Sequence, residues 1–212
     1  MSNDIPAGSI EVQKVRVFID FWNFQLSLNR LAPHFPVDWS KFPAWLAQEA
    51  GSLAAGDPPC QLQFEGAHIH LSYNPRTEKG RRLRHWSKTV LDRFAGIQVE
   101  CKERKPKRPP TCQSCYREIE KCPHCGEHMA GTIEKGIDTG IVTDMIKLAW
   151  EDTYQIGILV SADRDFIPAV EFLQSKGKKI IQAGFPSAGM ELAQISWASF
   201  DIGARIEEFR RT

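Results

Sequence analysis

The sequence predicts an α/β fold, a parallel sheet with helices packed on both faces. Three observations lead there. The runs Val15-Arg16-Val17-Phe18-Ile19-Asp20 and Ile156-Gly157-Ile158-Leu159-Val160-Ser161 are short, β-branched and apolar, as fully buried parallel strands are. Segments with helical apolar spacing alternate with further strand-like runs. Asp20, Asp138, Asp163 and Asp165 fall where strands should end or helices begin, the edge at which such sheets bind ligands.

The elements follow in order. After the first strand, a short helix is expected from Phe21 to about Leu31, before Pro33. Asp38 or Ser40 can cap a second helix to about Ala50, with Gly51 as its stop. Residues 51–59 read as a loop. Ala67 to Tyr73 should be a strand, broken by Asn74-Pro75. Leu83, Trp86, Val90 and Phe94 mark the apolar stripe of a helix from about Thr77 to Phe94, with its arginines outward. Ile97 to Cys101 is a strand. Residues 102–131, rich in Pro, Cys and charge, break the pattern. A helix from Asp138 to Trp150 leads to the strand ending at Ser161. Pro168 is tolerated only in a first helical turn, so a helix from near Asp165 to Ser175 is expected. Lys179 to Ala183 and Ser199 to Ile202 complete the strands. No internal repeat is evident.

The chain has 212 residues, enough for one domain with an elaboration; 42% hydrophobic and 10% aromatic residues suffice for a real core. A formal net charge of +1 gives no bulk attraction to nucleic acid, but charge is uneven. Arg76, Lys79, Arg81, Arg82, Arg84 and Lys88 form one basic stretch; Lys102, Arg104, Lys105, Lys107 and Arg108 form another. Residues 1–8 lack the features of a secretory signal, and no apolar run is long enough to span a membrane. A cytoplasmic location is the expectation, and it disfavours disulfides among the six cysteines.

Carboxylates gathered at one sheet edge repel one another, by about 4 kcal/mol for a pair about 4 Å apart at an effective dielectric near 20. They call for a shared proton or a hard divalent ion. The motifs Phe18-Ile19-Asp20-Phe21-Trp22-Asn23, Lys135-Gly136-Ile137-Asp138 and Ser161-Ala162-Asp163-Arg164-Asp165-Phe166 occur in that order. Together they resemble the NYN branch of the PIN-like nucleases, the group that includes LabA-like proteins, over about residues 14–205 apart from the Cys-rich stretch. The resemblance implies a three-layer α/β/α, PIN-like and Rossmann-like fold and metal-dependent RNA cleavage. It makes Asp20, Asp138, Asp163 and Asp165 the carboxylates of a Mg²⁺ or Mn²⁺ site. Asn23 is then an accessory polar group, Ser161 an orienting residue and Lys135 a phosphate contact. Taken alone, each such Asp is as well explained as a cap or turn residue, and Asp165 as the cap of its helix. Asp144 lies about 9 Å further along the helix from Asp138, off the same face, and is either a supporting or a solvated residue. The PIN-like pattern has a further acid in mid-chain; Glu65, Glu78 and Asp92 are candidates and no motif picks one.

Cys112-x-x-Cys115 and Cys122-x-x-Cys125 are two thiolate knuckles, the makings of a closed structural Zn²⁺ site, although the gap between them is shorter than the usual spacing. Redox thiols, an iron–sulfur cluster, or His124 or His128 replacing one cysteine are the alternatives. Cys60 and Cys101 read as small buried apolar residues. Residues 102–131 are therefore expected to be a zinc-binding insertion within a single domain spanning 1–212.

Arg81, Arg82, Arg84, Lys105, Lys107 and Arg108 are candidates for contact with a nucleic-acid backbone, or simply solvated charge. Trp22 can stack a base of single-stranded RNA, or pack in the core; Trp39, Trp45, Trp86 and Trp150 are expected in the core. The function expected is a metal-dependent endoribonuclease acting on single-stranded RNA, with a catalytically inactive RNA-binding adaptor as the alternative. No motif sets the oligomeric state, and a homodimer stays open. A phosphatase of the doubly wound type wants a second Asp soon after Asp20, where Phe21, Trp22 and Asn23 stand instead. A glycine-rich nucleotide loop is missing there too.

Overall fold

The structure is a computed structural model that describes residues 12–54, 61–185 and 188–212. Strands β1 (Val12–Asp20), β2 (Gln61–Tyr73), β3 (Ile97–Glu103), β6 (Ile156–Val160), β7 (Lys179–Gly184) and β8 (Ala198–Asp201) form one parallel sheet in the order β3-β2-β1-β6-β7-β8. A small antiparallel pair, β4 (Lys105–Lys107) and β5 (Gly131–Ile133), brackets the cysteines. The helices are α1 (Phe21–Leu31), α2 (Phe42–Ala54), α3 (Glu78–Thr89), α4 (Ile137–Trp150), α5 (Ile167–Ser175) and α6 (Met190–Ile195).

Strand alternation divides the side chains between two cores. Val15, Val17 and Ile19 of β1 pack with Ile69, Leu71, Ile158 and Ile181 against Phe24 and Leu28 of α1 and Phe42 and Leu46 of α2. On the opposite face, Phe18 and Leu159 meet Ile141 and Met145 of α4, Val170 and Leu173 of α5, and Leu192 of α6. The result is an α/β/α sandwich of the PIN-like kind. Each fully buried large side chain contributes about 1.5–3 kcal/mol.

Chain order runs outward from β1 through β2 to β3 on one side, and from β6 through β7 to β8 on the other. The switch point lies between β1 and β6, so the crevice beyond their carboxyl ends is the place for a ligand. Asp20 ends β1, and Ser161 directly follows β6.

Several expectations change. The second helix runs through Gly51, because a Cβ there would lie 1.9 Å from Leu62 Cδ1 and glycine permits the close approach. β2 begins earlier, at Gln61, and a register shift at Val15/Arg16 places Glu65 in a bulge. The third helix stops at Thr89, and Leu91 rather than Val90 is buried. Trp150 is 90% exposed, whereas Trp39 and Trp45 are core. Asp163 accepts the Asp165 N–H at 2.9 Å and so caps the turn before α5; Asp165 lies inside that turn. Pro168 sits in the first turn of α5, as its chemistry requires. Cys101 is half-buried, and Cys60 lies outside the described residues.

Candidate metal and nucleic-acid site

The ends of β1 and β6 are stitched by side chains. The Asp20 carboxylate accepts the Asn23 N–H at 3.2 Å, capping α1, and the Ser161 hydroxyl at 3.3 Å. Ser161 Oγ accepts the Asp163 N–H at 3.1 Å, and the Asn23 side-chain carbonyl accepts the Ala162 N–H at 3.0 Å. Gln182 on β7 donates to the Ser161 carbonyl at 2.8 Å. Each Asp or Asn here thus has a structural task as well as a place at the crevice. Asp138 opens α4 behind Gly136, whose φ of 77° is the left-handed turn that glycine allows. Lys135 is exposed beside it.

The electrostatics show which acids share the crevice. Burial pushes the Asp20 carboxyl up to about 6; Asp138 and Glu134 add to the rise, while the Asn23 N–H and Ser161 oppose it. Asp138 is also raised, first by burial, then by Asp163, Glu134 and Asp165. Neighbouring acids therefore raise both Asp20 and Asp138, and Glu134 acts on each of them.

Glu134 is the residue that sequence reading missed. It accepts from the Ser72 hydroxyl at the end of β2, and its carboxylate is 3.7 Å from Arg104 Nη2. Arg104 Nε donates to Ser72 Oγ at 2.8 Å, and its guanidinium lies 5.0 Å from the Trp22 ring centroid. Trp22 Nε1 donates to the Ser72 carbonyl at 2.7 Å. The three mid-chain acids considered from sequence are elsewhere. Glu65 is in the β2 bulge, Glu78 pairs with Arg82 at 2.8 Å, and Asp92 pairs with Lys88 at 3.1 Å and accepts the Val99 N–H at 2.7 Å. The available signal was adjacency: Glu134 directly precedes the Lys-Gly-x-Asp motif.

The donor set fits a hard divalent ion, being all oxygen, negative and under mutual repulsion. Its geometry is open. Among the described residues, one group of three His, Cys, Asp or Glu ligand atoms lies within 4.8 Å of one another, namely His70, Glu100 and Asp144. No three of the crevice carboxylates or of the four CxxC sulfurs are that close. Asp144 is bonded rather than merely solvated, with Oδ2 3.0 Å from His70 Nε2.

Each CxxC forms the same turn. The Cys112 carbonyl accepts the Tyr116 N–H at 2.8 Å and the Cys112 N–H donates to Arg117 at 2.9 Å; Cys122, Gly126 and Glu127 repeat this at 2.9 Å and 2.8 Å. Tyr116 and Gly126 hold matching left-handed φ angles of 59° and 75°. Here a local repeat exists that the sequence reading did not register. Backbone N–H groups of Cys115 and Ser114 hold the Cys112 thiol below its ordinary pKa, and those of Cys125 and His124 do so for Cys122. Such thiols suit Zn²⁺.

Of the basic residues, Arg81 and Arg84 line a cavity of about 470 Å³ with Tyr73, His85 and Lys88. Arg82 is held by Glu78. Lys105, Lys107 and Arg108 are exposed on and just after β4. A second cavity, about 370 Å³, runs from Trp22 to Lys79 and Arg104. No described helix is long and apolar enough to cross a membrane.

The family model for the NYN domain matches residues 14–198. Among curated proteins, none matches the chain. The crystal structure of a protein of unknown function, VPA0982, from Vibrio parahaemolyticus is similar in fold: 20% identity, TM-score 0.51, covering 92% of this chain and 95% of that one.

Proposed function

This chain belongs to the NYN domain family, a branch of the PIN-like nuclease superfamily, and from that premise we propose that it is a metal-dependent endoribonuclease acting on single-stranded RNA. The observation that supports this best is the mutual electrostatic influence of acids at the switch-point crevice: Asp138 and Glu134 act on Asp20, and Asp163, Glu134 and Asp165 on Asp138, with the buried Asp20 carboxyl pushed up to about 6.

Asp20, Asp138, Asp163 and Asp165 would hold Mg²⁺ or Mn²⁺, which supplies a more acidic water and charge neutralisation at the phosphoryl oxygens. Ser161 and the Asn23 N–H fix the Asp20 carboxylate so that its ionised form faces the crevice. The Asn23 side chain locks the Ala162–Asp163 backbone, and with it the direction of Asp163. Lys135 offers a point charge for the scissile phosphate. Trp22, already under Arg104, borders a cavity wide enough for a base. Arg81 and Arg84, with Lys105, Lys107 and Arg108, would contact the backbone. Cys112, Cys115, Cys122 and Cys125 would close on a structural Zn²⁺ and stiffen residues 102–131 as an insertion in a single domain.

Purified protein with Mn²⁺ or Mg²⁺ should cut a mixed RNA pool, and Asp163→Asn should abolish cutting while leaving the circular dichroism spectrum unchanged. The wide spacing of the crevice carboxylates favours a second reading, an RNA-binding adaptor without catalysis. RNA binding without cleavage in any divalent ion would establish that one instead.

A further inference from the structure

On the α4 face of the sheet lies a cluster that the proposed reaction does not use. His68 and His70 of β2 stand in register with Phe18 and Asp20 of β1, and His70 pairs with Glu100 of β3. Asp144 reaches them from α4, about 9 Å along the helix from Asp138. We propose that His70 Nδ1 and the Glu100 carboxylate bind a borderline divalent ion such as Zn²⁺ or Co²⁺, with Asp144 holding the opposite ring nitrogen of His70.

Proton positions lead to this site. Arg16 Nη1 lies 3.1 Å from His68 Nε2, and a guanidinium only donates. A neutral His68 therefore carries its proton on Nδ1, which faces Asp144 Oδ2 at 3.4 Å. The same oxygen lies 3.0 Å from His70 Nε2. The Nε2–H of His70 is thus committed to Asp144, and in the neutral ring Nδ1 presents a lone pair. That atom is buried, in a residue only 1% exposed, and has no hydrogen-bond partner. It nevertheless lies 3.1 Å from Glu100 Oε2. Two lone-pair-bearing atoms that close repel unless a cation joins them. A separation near 3 Å suits two ligand atoms on one ion with bonds of about 2.0–2.2 Å. Burial also disfavours the doubly protonated ring, since it lowers the His70 pKa.

The carboxylate–histidine–metal chain completes the pattern, for a ligating histidine ordinarily donates its other N–H to a carboxylate. Space is kept by Gly140. A Cβ there would stand 3.0 Å from His70 Nδ1 and 3.3 Å from Glu100 Oε2. The cation now closest is Lys102 Nζ, 2.9 Å from Glu100 Oε1 and 2.6 Å from the Gly136 carbonyl. Its side chain is partly exposed, so it can swing to solvent when an ion enters. One imidazole and one carboxylate select a borderline transition ion over Mg²⁺, with water filling the remaining positions. The ion would tie β2 and β3 together beneath α4, and would free Lys102 from the carbonyl just ahead of Asp138.

The test is Zn²⁺ titration of full-length protein labelled with ¹⁵N-histidine, followed by NMR. The His70 signals are identified as those missing from His70→Gln. Zn²⁺ should move Nδ1 while Nε2 keeps its proton. Glu100→Gln should weaken that response at least tenfold, and Gly140→Ala should remove it. Asp163→Asn should leave it unchanged, which separates this site from the crevice carboxylates and from any failure of the nuclease reading. An unresponsive His70, a Glu100→Gln protein with wild-type response, or a His70 protonated on both nitrogens at neutral pH would overturn the proposal.

Discussion

Asp20 carries its carboxyl where water reaches it poorly, so its pKa rises to about 6 from 3.8, with burial outweighing the Asn23 N–H. The folded state therefore binds this proton more tightly than the unfolded state. The stability it contributes is present at acid pH and is lost as pH rises through about 6. At neutral pH the ionised group costs on the order of 2–3 kcal/mol, because each tenfold gain in proton affinity on folding is worth about 1.4 kcal/mol. Asp20→Asn should thus raise the melting midpoint of metal-free protein at pH 7 and have little effect near pH 4, while removing RNA cleavage; differential scanning calorimetry at both values checks this, and a lowered midpoint at pH 7 would contradict it. Binding of Mn²⁺ at the crevice must displace the same proton, so affinity measured by calorimetric titration should fall as pH drops below about 6. The places of Asp20, Asp138, Asp163 and Asp165 at element boundaries were legible because each sits in a short motif there. Glu134 was not, because what brings it in is a hydroxyl and a guanidinium, Ser72 and Arg104, from strands distant in sequence.

Elements were read from periodicity and punctuation, and one misreading comes from a glycine that serves packing. Gly51 reads as a stop signal yet lies inside α2 because Leu62 fills the space where a Cβ would be. Gly80 makes a sharper case. Thr77 caps α3 by accepting the Gly80 N–H at 3.1 Å, and a Cβ on Gly80 would lie 1.9 Å from the Asn74 carbonyl oxygen. Backbone cannot step aside as a side-chain tip can. Gly80→Ala should cost about 1–3 kcal/mol in urea denaturation, despite alanine's better helix propensity. Trp150→Gln, by contrast, should change stability by no more than about 0.5 kcal/mol, since that ring is exposed at the helix end. In the cysteine turns, Tyr116 adopts the left-handed φ that Gly126 supplies freely in the matching place. Tyr116→Gly should be tolerated there, with the zinc content by elemental analysis unchanged from wild type; a folded, zinc-free wild-type protein would remove the cysteine zinc assignment altogether.

For the molecule as a whole, a net charge of +1 conceals basic groups gathered on α3 and at β4, elements that follow β2 and β3 on one side of the switch point. Charge reversal at Arg81, Arg82 and Arg84 together should weaken RNA binding and flatten its dependence on log salt, because fewer counterions are released. An unchanged slope in a fluorescence-anisotropy titration would retire that patch. The primary structure alone determined the alternation of buried strands with amphipathic helices, and hence a parallel sheet with its acids at one rim. That much is local: hydrophobic period, turn chemistry and caps act over a few residues. Only the tertiary structure decided that Glu134 stands with the aspartates, that Asp144 turns to two histidines, and that His70 faces Glu100. Those meetings depend on strand register and on where α4 docks, which the packing of the two cores sets collectively and no short stretch of chain encodes.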